Sequence, residues 1–365
     1  MAEKSRYLEV VETLRDEILS EKYSDASFPS VVQIMHRFAI SRATAVRALD
    51  ELKRRNFIRS RQGRGTFVTR FGRSRKIGIL FPETASSEYY SCIIRELSRQ
   101  AQAFDYALLF AEIDTADVSA QAERAEAIAR NFVSNGVSGV VFQPVAHVAS
   151  CIEVNRRILS VFGRAGIPVV LCDCDYLLDS AARSDYDVVG VNNLVAGAAL
   201  FRHLHEVGAR DIHFTTIAHS ARSHLDRLRG LEGECLRLTG HRLPERNVLT
   251  AHPRDLIAVR RHLRKGRPDA FVCGNDITAA LLIQSLGELG IRVPDDMLVT
   301  GFNDVSISRL STPSITTVHQ PTDLIGRTVF NRLVERMANP ALPAQEILLS
   351  APLVVRRSTM KRGDH

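Results

Sequence analysis

FPSVVQIMHRFAISRATAVRALDELKRRNFIRSRQGRGTFVTR, residues Phe28–Arg70, decides how the chain is read. Pro29 is tolerated at a helix start, and Ser30 can cap free N–H groups there. Phe38, Ala39 and Ile40 lead into Ser41, a second N-cap candidate. From Arg42, helical phase gathers Ala45, Ala48, Leu49 and Leu52 on one face. Ala43 and Arg47 point away from that face, and Arg42 sits in the first turn. A short helix followed by one with an apolar back and a basic front predicts a helix-turn-helix. After Asn56, FIRSRQGRGTFV alternates and turns at Gly63-Arg64-Gly65, which predicts a basic two-stranded wing. Working outward, Tyr7–Lys22 reads as a preceding helix with Leu8, Val11, Leu14, Ile18 and Leu19 as its apolar stripe.

Charge sets this stretch apart from an ordinary solvated helical pair. Residues 1–75 hold 16 Lys/Arg and 9 Asp/Glu, a net of +7 that equals the net charge of the whole 365-residue chain. All the excess positive charge therefore lies in the first fifth, the electrostatic footprint of a nucleic-acid-binding domain.

The run P-S, then S-R-x-T-x-x-R-A-L-x-x-L, then G-R-G-T-F-V resembles the winged helix-turn-helix of GntR-type bacterial regulators over about residues 5–70. The resemblance implies contact with double-stranded DNA by Arg42, Thr44, Arg47 and the wing-tip glycine. The candidate DNA-contacting set is Ser30, Ser41, Arg42, Ala43, Thr44, Arg47, Gly63, Arg64 and Gly65. Val46 and Asn56 depart from the residues usual in that family, so the resemblance implies no base preference.

The length predicts two or three domains. We expect an α+β winged head over residues 1–70, a short basic linker at 71–75, and a two-lobed α/β unit with parallel sheets over 76–365. From Lys76 the pattern becomes strand–helix alternation: KIGILFP, a helix Glu88–Phe104, YALLFAEI, a helix Ser119–Asn135, VSGVVFQP, a helix Ser150–Ala165 and PVVLCDC. Uniformly apolar strands separated by helices predict a parallel sheet covered on both faces. A second series begins at DVVGVN and continues through DIHFTTI, a strand near Val248, DAFVCG and MLVTGF. Two sheets imply two lobes with a cleft, and ligands of open α/β sheets sit beyond the carboxyl ends of strands. The N-terminus has no apolar signal region and no run reaches a membrane-spanning length, so the expected place is the cytoplasm, with no membrane partner. Six scattered cysteines match no zinc spacing and are expected as reduced thiols. Cys172 and Cys174 share a strand face, where a soft-metal or redox site competes with plain burial.

CGNDITAALLIQSLGELGIRVPDDMLVTGFNDVSISRLSTPSITTVHQPTDLIGR resembles the closing part of the LacI/GalR effector domain, itself similar to periplasmic sugar-binding proteins. A GntR-type head on such a domain is the arrangement of arabinose-repressor-like regulators. Asn303 stands where that family usually has Asp. A polyol pocket needs carboxylates and amides for hydroxyls and an aromatic face. Strand ends supply Tyr89, Tyr90, Gln143, Asp173 and Asp175, while Asn275 follows DAFVCG. The resemblance implies effector contact by Arg227 and Asp276. Each candidate also has a plain structural reading: Asn275 or Asp276 as a helix cap, Arg227 paired with Asp226 or Glu232, the tyrosines as core.

No phosphate-binding, zinc-protease or nucleophile-elbow motif occurs. His203 and His205, two apart on a helix, diverge and read as a solvated face rather than a metal site. The expectation is a repressor, not an enzyme, with no cofactor and no metal. It binds operator DNA as a homodimer and is released by a small polar effector, a sugar. The rivals are a cytoplasmic solute-binding protein and a sugar-processing enzyme on the same scaffold, because a fold alone does not fix function.

Overall fold

The computed structural model describes residues 2–19, 22–23, 28–55, 57–61, 65–69, 76–81, 87–112, 118–179 and 181–360. The head begins with helix α1 (Ala2–Leu19), followed by α2 (Val31–Phe38) and α3 (Arg42–Arg54). Strands β1 (Ile58–Arg61) and β2 (Gly65–Val68) pair antiparallel, and Phe28 bridges to Thr66 beside them. Ser30 caps α2 in a reciprocal capping box with Gln33, and Ser41 caps α3 by accepting the Thr44 N–H at 3.2 Å. These bonds occupy N–H groups that the first helical turn leaves without partners. Ala39 closes α2 in the left-handed region at φ 46°. The head's core collects Val11, Leu14 and Ile18 of α1 with Ile34 and with Ala45, Ala48, Leu49 and Leu52 of α3. The expected α1 stripe changes at two positions, Val10 being buried and Leu8 exposed, and the Leu19 side chain lies outside the described residues. The 71–75 linker, Asn56 and the wing tip Gly63-Arg64 lie outside the described residues.

The first lobe is a six-stranded parallel sheet. Its strands are β3 (Lys76–Phe81), β4 (Ala107–Glu112), β5 (Gly139–Phe142), β6 (Val169–Cys172), β7 (Asp187–Val191) and β13 (Glu346–Leu349), in the order β13-β7-β6-β5-β3-β4. Helices α4 (Glu88–Ala103), α5 (Val118–Ser134) and α6 (Cys151–Ala165) connect its first strands. The second lobe has β8 (Ile212–Thr216), β9 (Val248–Thr250), β10 (Ala270–Cys273) and β11 (Leu298–Thr300), ordered β11-β10-β8-β9 and all parallel. Its helices are α7 (Asn193–Glu206), α8 (Arg222–Thr239), α9 (Leu256–Arg264), α10 (Asp276–Glu288) and the short α11 (Ser306–Leu310). Central strands are buried on both faces, as near-continuous apolar runs require.

One boundary differs from the sequence reading. DVVGVN does not open the second sheet: β7 pairs with β6, and the second lobe starts at α7. The sequence reading also lacked β13, which returns from the far end of the chain to flank β7. Helix α12 (Thr322–Ala338) likewise returns to the first lobe, laying Phe330 against Phe104 and Tyr106. Beside these crossings, β12 (Thr317–Val318) and β14 (Leu353–Val354) form a two-stranded antiparallel hinge ribbon.

Candidate functional site

Helices α7 and α8 pack unusually close. A Cβ at Gly197 would strike the Arg227 carbonyl, and one at Gly230 would strike the Leu194 carbonyl. Only glycine admits this approach. It brings Arg227 to Asn193, which accepts the Arg227 Nε–H at 2.9 Å. The Gly274 carbonyl accepts from Nη1 at 2.6 Å, and the guanidinium lies 3.5 Å from the centre of the Phe302 ring. Arg227 is 3% exposed, and burial pulls its pKa down while Asp173 and the tyrosines favour the charge.

Around it is a cavity of about 220 Å³ between the lobes. The first lobe contributes Tyr89 and Tyr90 from the first turn of α4, Gln143 and His147 beyond β5, and Asp173 beyond β6. The second contributes Thr215 at the end of β8, Ser223, His224 and Arg227 from α8, and Asn275 beyond β10. Asn303 and Gln320 close the hinge side. The Tyr89 hydroxyl lies 3.1 Å from both Asp173 Oδ1 and Gln320 Oε1, and Gln320 Nε2 donates to Asn303 at 2.7 Å. Gln143 Nε2 donates to the Tyr90 hydroxyl. Burial pushes the Tyr89 phenol well up and the His224 imidazole well down, the latter helped by Arg227 and His147. Both rings are therefore neutral near pH 7. Gln143 Oε1, His224 Nδ1 and Thr215 Oγ1 are buried without a hydrogen-bond partner. Unpaired buried polar atoms are costly, so acceptors gathered in one cavity suit a ligand that brings hydroxyls.

Six of the eight candidate effector residues line this cavity: Tyr89, Tyr90, Gln143, Asp173, Arg227 and Asn275. Asn275 also caps α10, accepting the Thr278 N–H at 2.8 Å. Asp276 does not reach the cavity. Its side chain is wholly buried toward the hinge, where Oδ1 accepts the Thr317 hydroxyl at 2.6 Å and Oδ2 the Val305 N–H at 2.9 Å. Burial raises its pKa to about 7 against those two hydrogen bonds. A residue one position past a strand-end Asn begins the helix, and the helix turns its side chain behind the strand. Asp175 is also taken elsewhere, accepting the Leu177 and Ser184 N–H groups of its own loop. The sequence reading missed His147 and His224, which carry no motif, and Gln320, which lies inside the quoted TTVHQP stretch but was not singled out as a cavity residue.

Arg227 pairs with neither Asp226 nor Glu232; Asp226 bonds Arg222 and Arg229 instead. His203 is half-buried and reaches Thr359 Oγ1 at 2.8 Å, so its face is not solvated. Cys172 and Cys174 are buried, with burial raising both thiols well above the ordinary range. Among the described residues no group of three or more His, Cys, Asp or Glu is placed to hold a metal. No helix among them is long and apolar enough to cross a membrane.

In the head, Ser30, Ser41, Arg42, Ala43 and Arg47 are exposed, as is Gly65 with φ 94°. Thr44 is 8% exposed and both its hydroxyl and its N–H are bonded to Ser41, so it is the buried member of this set. The Arg47 guanidinium lies over the Tyr7 ring at 4.3 Å, which holds it on the face shared by α1 and α3.

Residues 6–68 match the pattern of bacterial regulatory proteins of the gntR family, and residues 201–359 match a periplasmic binding protein-like domain. The chain is 27% identical to the arabinose metabolism transcriptional repressor of Geobacillus stearothermophilus over 98% of its own length and 99% of that protein. Over 92 residues, 25% of this chain and 27% of the other, it is 44% identical to the HTH-type transcriptional repressor PurR of Salmonella typhi. The solved complex of transcriptional regulator CelR with cellobiose superposes with a TM-score of 0.66 at 20% identity, covering 96% of this chain and 99% of that one.

Proposed function

We propose, from the premise that the chain joins a gntR-family DNA-binding head to a periplasmic binding protein-like sensor, that it is a transcriptional repressor released from its operator by a sugar. The head occupies residues 1–70, the linker 71–75 and the sensor 76–365. The observation that carries this reading is the inter-lobe cavity in which Asp173, Arg227, Gln143 and Asn275 converge behind a basic winged helix. A repressor and a cellobiose-bound regulator among the similar proteins support both halves. The cavity binds effector through Tyr89, Tyr90, Gln143, Asp173, Arg227 and Asn275, assisted by His224 and Gln320. DNA is held by the Ser30, Ser41, Arg42, Ala43, Thr44, Arg47 and Gly63-Arg64-Gly65 positions.

The protein works in the cytoplasm, without cofactor or catalysis, as a homodimer. Ile257 on α9 is 73% exposed and Ile277 on α10 is 45% exposed, apolar surface that a second copy would cover. A dimer also matches two heads to two operator half-sites. Closure of the lobes around ligand is the two-state element, because a ligand shifts DNA affinity only by preferring one arrangement.

A thermal-shift screen with pentoses, hexoses and disaccharides tests the sensor, since a ligand that binds only the folded state raises the melting temperature. The sugar that shifts it should then lower affinity for operator DNA. A sugar that binds and raises operator affinity refutes release by effector. Turnover of that sugar would favour the enzyme instead.

A further inference from the structure

Helix α4 has the cavity at one end and the DNA-reading head at the other. Its first turn carries Tyr89 and Tyr90 into the cavity wall. Just ahead of them, Glu88 crosses to the second lobe, accepting the Ser306 N–H at 2.9 Å and the Ser306 hydroxyl at 2.8 Å. After 16 residues, about 24 Å of helix, the chain turns at Phe104 and Asp105, the latter left-handed at φ 59°. That corner touches the head. Asp105 faces Arg15 of α1 at 3.4 Å and Arg55 at the end of α3 at 3.2 Å, while Arg54 lies over the Phe104 ring at 4.9 Å. Glu12 joins the cluster, 3.4 Å from Arg55.

We propose that the Phe104–Asp105 corner is a docking surface for the winged-helix head, and that α4 transmits lobe movement from the cavity to it. Three features support the assignment. The contact is chemically matched: two head arginines meet one lobe carboxylate, and a third lies on an aromatic face. It grips the C-terminal end of α3, leaving the end that bears Arg42 free to face DNA. And α4 is stiffly seated: Phe104 packs on Phe330 of α12 at 5.4 Å, and Gly326 of α12 lies against the Ile93 carbonyl and Glu96 side chain in mid-helix. A helix held in this way moves as a unit, so a shift of its first turn on cleft opening re-aims the head at its last.

The coupling half rests on the cavity being the effector site; the docking half does not. Hydrogen exchange on the full-length chain tests both, without ligand. Asp105→Lys reverses the charge at the corner and should raise exchange at residues 51–55 and 104–106 several-fold. Asp105→Lys with Arg15→Glu should restore protection. Asp105→Asn, which keeps the left-handed turn, should give an intermediate loss, so the test survives if the lysine variant folds poorly. Unchanged protection in both single variants overturns the docking. Glu88→Gln weakens the cross-lobe bond and should raise exchange at residues 104–106 as well as near Ser306. A rise confined to Ser306 overturns the coupling while docking stands. If no sugar binds the cavity but the exchange results hold, the effector reading fails and the docking survives.

Discussion

The head and the inter-lobe cavity both depend on arginine, and they use it in opposite ways. In the head, Arg42 and Arg47 stand exposed on a helix, and the surrounding charge excess of +7 is uncompensated. In the cavity, Arg227 is buried, stacked on Phe302 and bonded to Asn193 and Gly274. An exposed arginine acts through long-range attraction and released counterions, so its effect weakens with salt. A buried one acts through fixed hydrogen bonds in a dry site, where salt has little access. Function in the head is thus a matter of surface charge, and in the cavity a matter of shape.

The largest effect that sharpens this contrast is expected from Arg227→Ala. The change leaves the Asn193 side-chain oxygen and the Gly274 carbonyl buried without their donor. Each unsatisfied group costs about 1–3 kcal/mol. Urea unfolding of the sensor should show that loss at low and high salt alike, with ligand response gone. A loss under about 1 kcal/mol, or one that salt abolishes, would place Arg227 with the surface arginines.

Asp276 is next. Its folded-state pKa, about 7, lies above the ordinary carboxylate value, so the folded protein holds a proton that the unfolded chain releases. The stability linked to that proton is fully present below about pH 4 and is lost as pH rises through about 7. The loss is on the order of 4 kcal/mol. His262 acts in the reverse sense: burial and His213 lower its pKa to about 4, so its contribution grows between pH 4 and 6.5. The difference between wild type and Asp276→Asn isolates the carboxyl. Wild-type stability relative to the variant should fall between about pH 4 and 7 and level off above, because the wild type loses the linked stability and the variant does not. A difference flat in pH would show that the fold does not raise the Asp276 pKa.

Arg47→Ala tests the head. Operator affinity should fall by about 1–3 kcal/mol, the value of a good base contact. Affinity for random duplex DNA should fall less, because only phosphate attraction is lost there. To reach a base, Arg47 must leave the Tyr7 ring, so Tyr7→Ala should change affinity far less than Arg47→Ala. Equal losses on both DNAs for Arg47→Ala would remove base reading from that side chain.

The same contrast explains what could be read before the structure. The head was legible almost residue by residue: caps at Ser30 and Ser41, the buried face of α3 and the hairpin are all local in sequence. The two-lobed α/β architecture was legible too, because buried parallel strands are uniformly apolar. The lobe assignment of β7 and β13 was not: an apolar strand carries no mark of which sheet it joins, and β13 lies 158 residues beyond its partner, Glu346 beside Val188. Gln143, Asp173 and Asn275 were found because they follow strands and Tyr89 and Tyr90 because they open the helix after one, while Arg227 came from the family resemblance. His224 was missed because its place depends on the tilt of α8, and Asp276 was misplaced because one step along a helix start turns a side chain from the cavity to the hinge.

The smallest effect asks whether the head's fold is as local as its sequence signals. The Ser41 hydroxyl accepts the Thr44 N–H at 3.2 Å and shares a second hydrogen bond with the Thr44 hydroxyl at 2.8 Å. Removing an N-cap typically costs about 1 kcal/mol. Ser41→Ala should therefore lower the head's stability by that amount, and Ser41→Asp should recover most of it, since a carboxylate accepts the same N–H and favours the positive helix end. The sensor's unfolding transition should not move, as no sensor residue among those described bonds Ser41. DNA affinity gives the second reading. If Ser41 also faces a phosphate, Ser41→Asp will restore stability and still weaken DNA binding, because it places a negative charge against the backbone. If stability and affinity recover together in Ser41→Asp, Ser41 is a cap alone and leaves the DNA-contacting set.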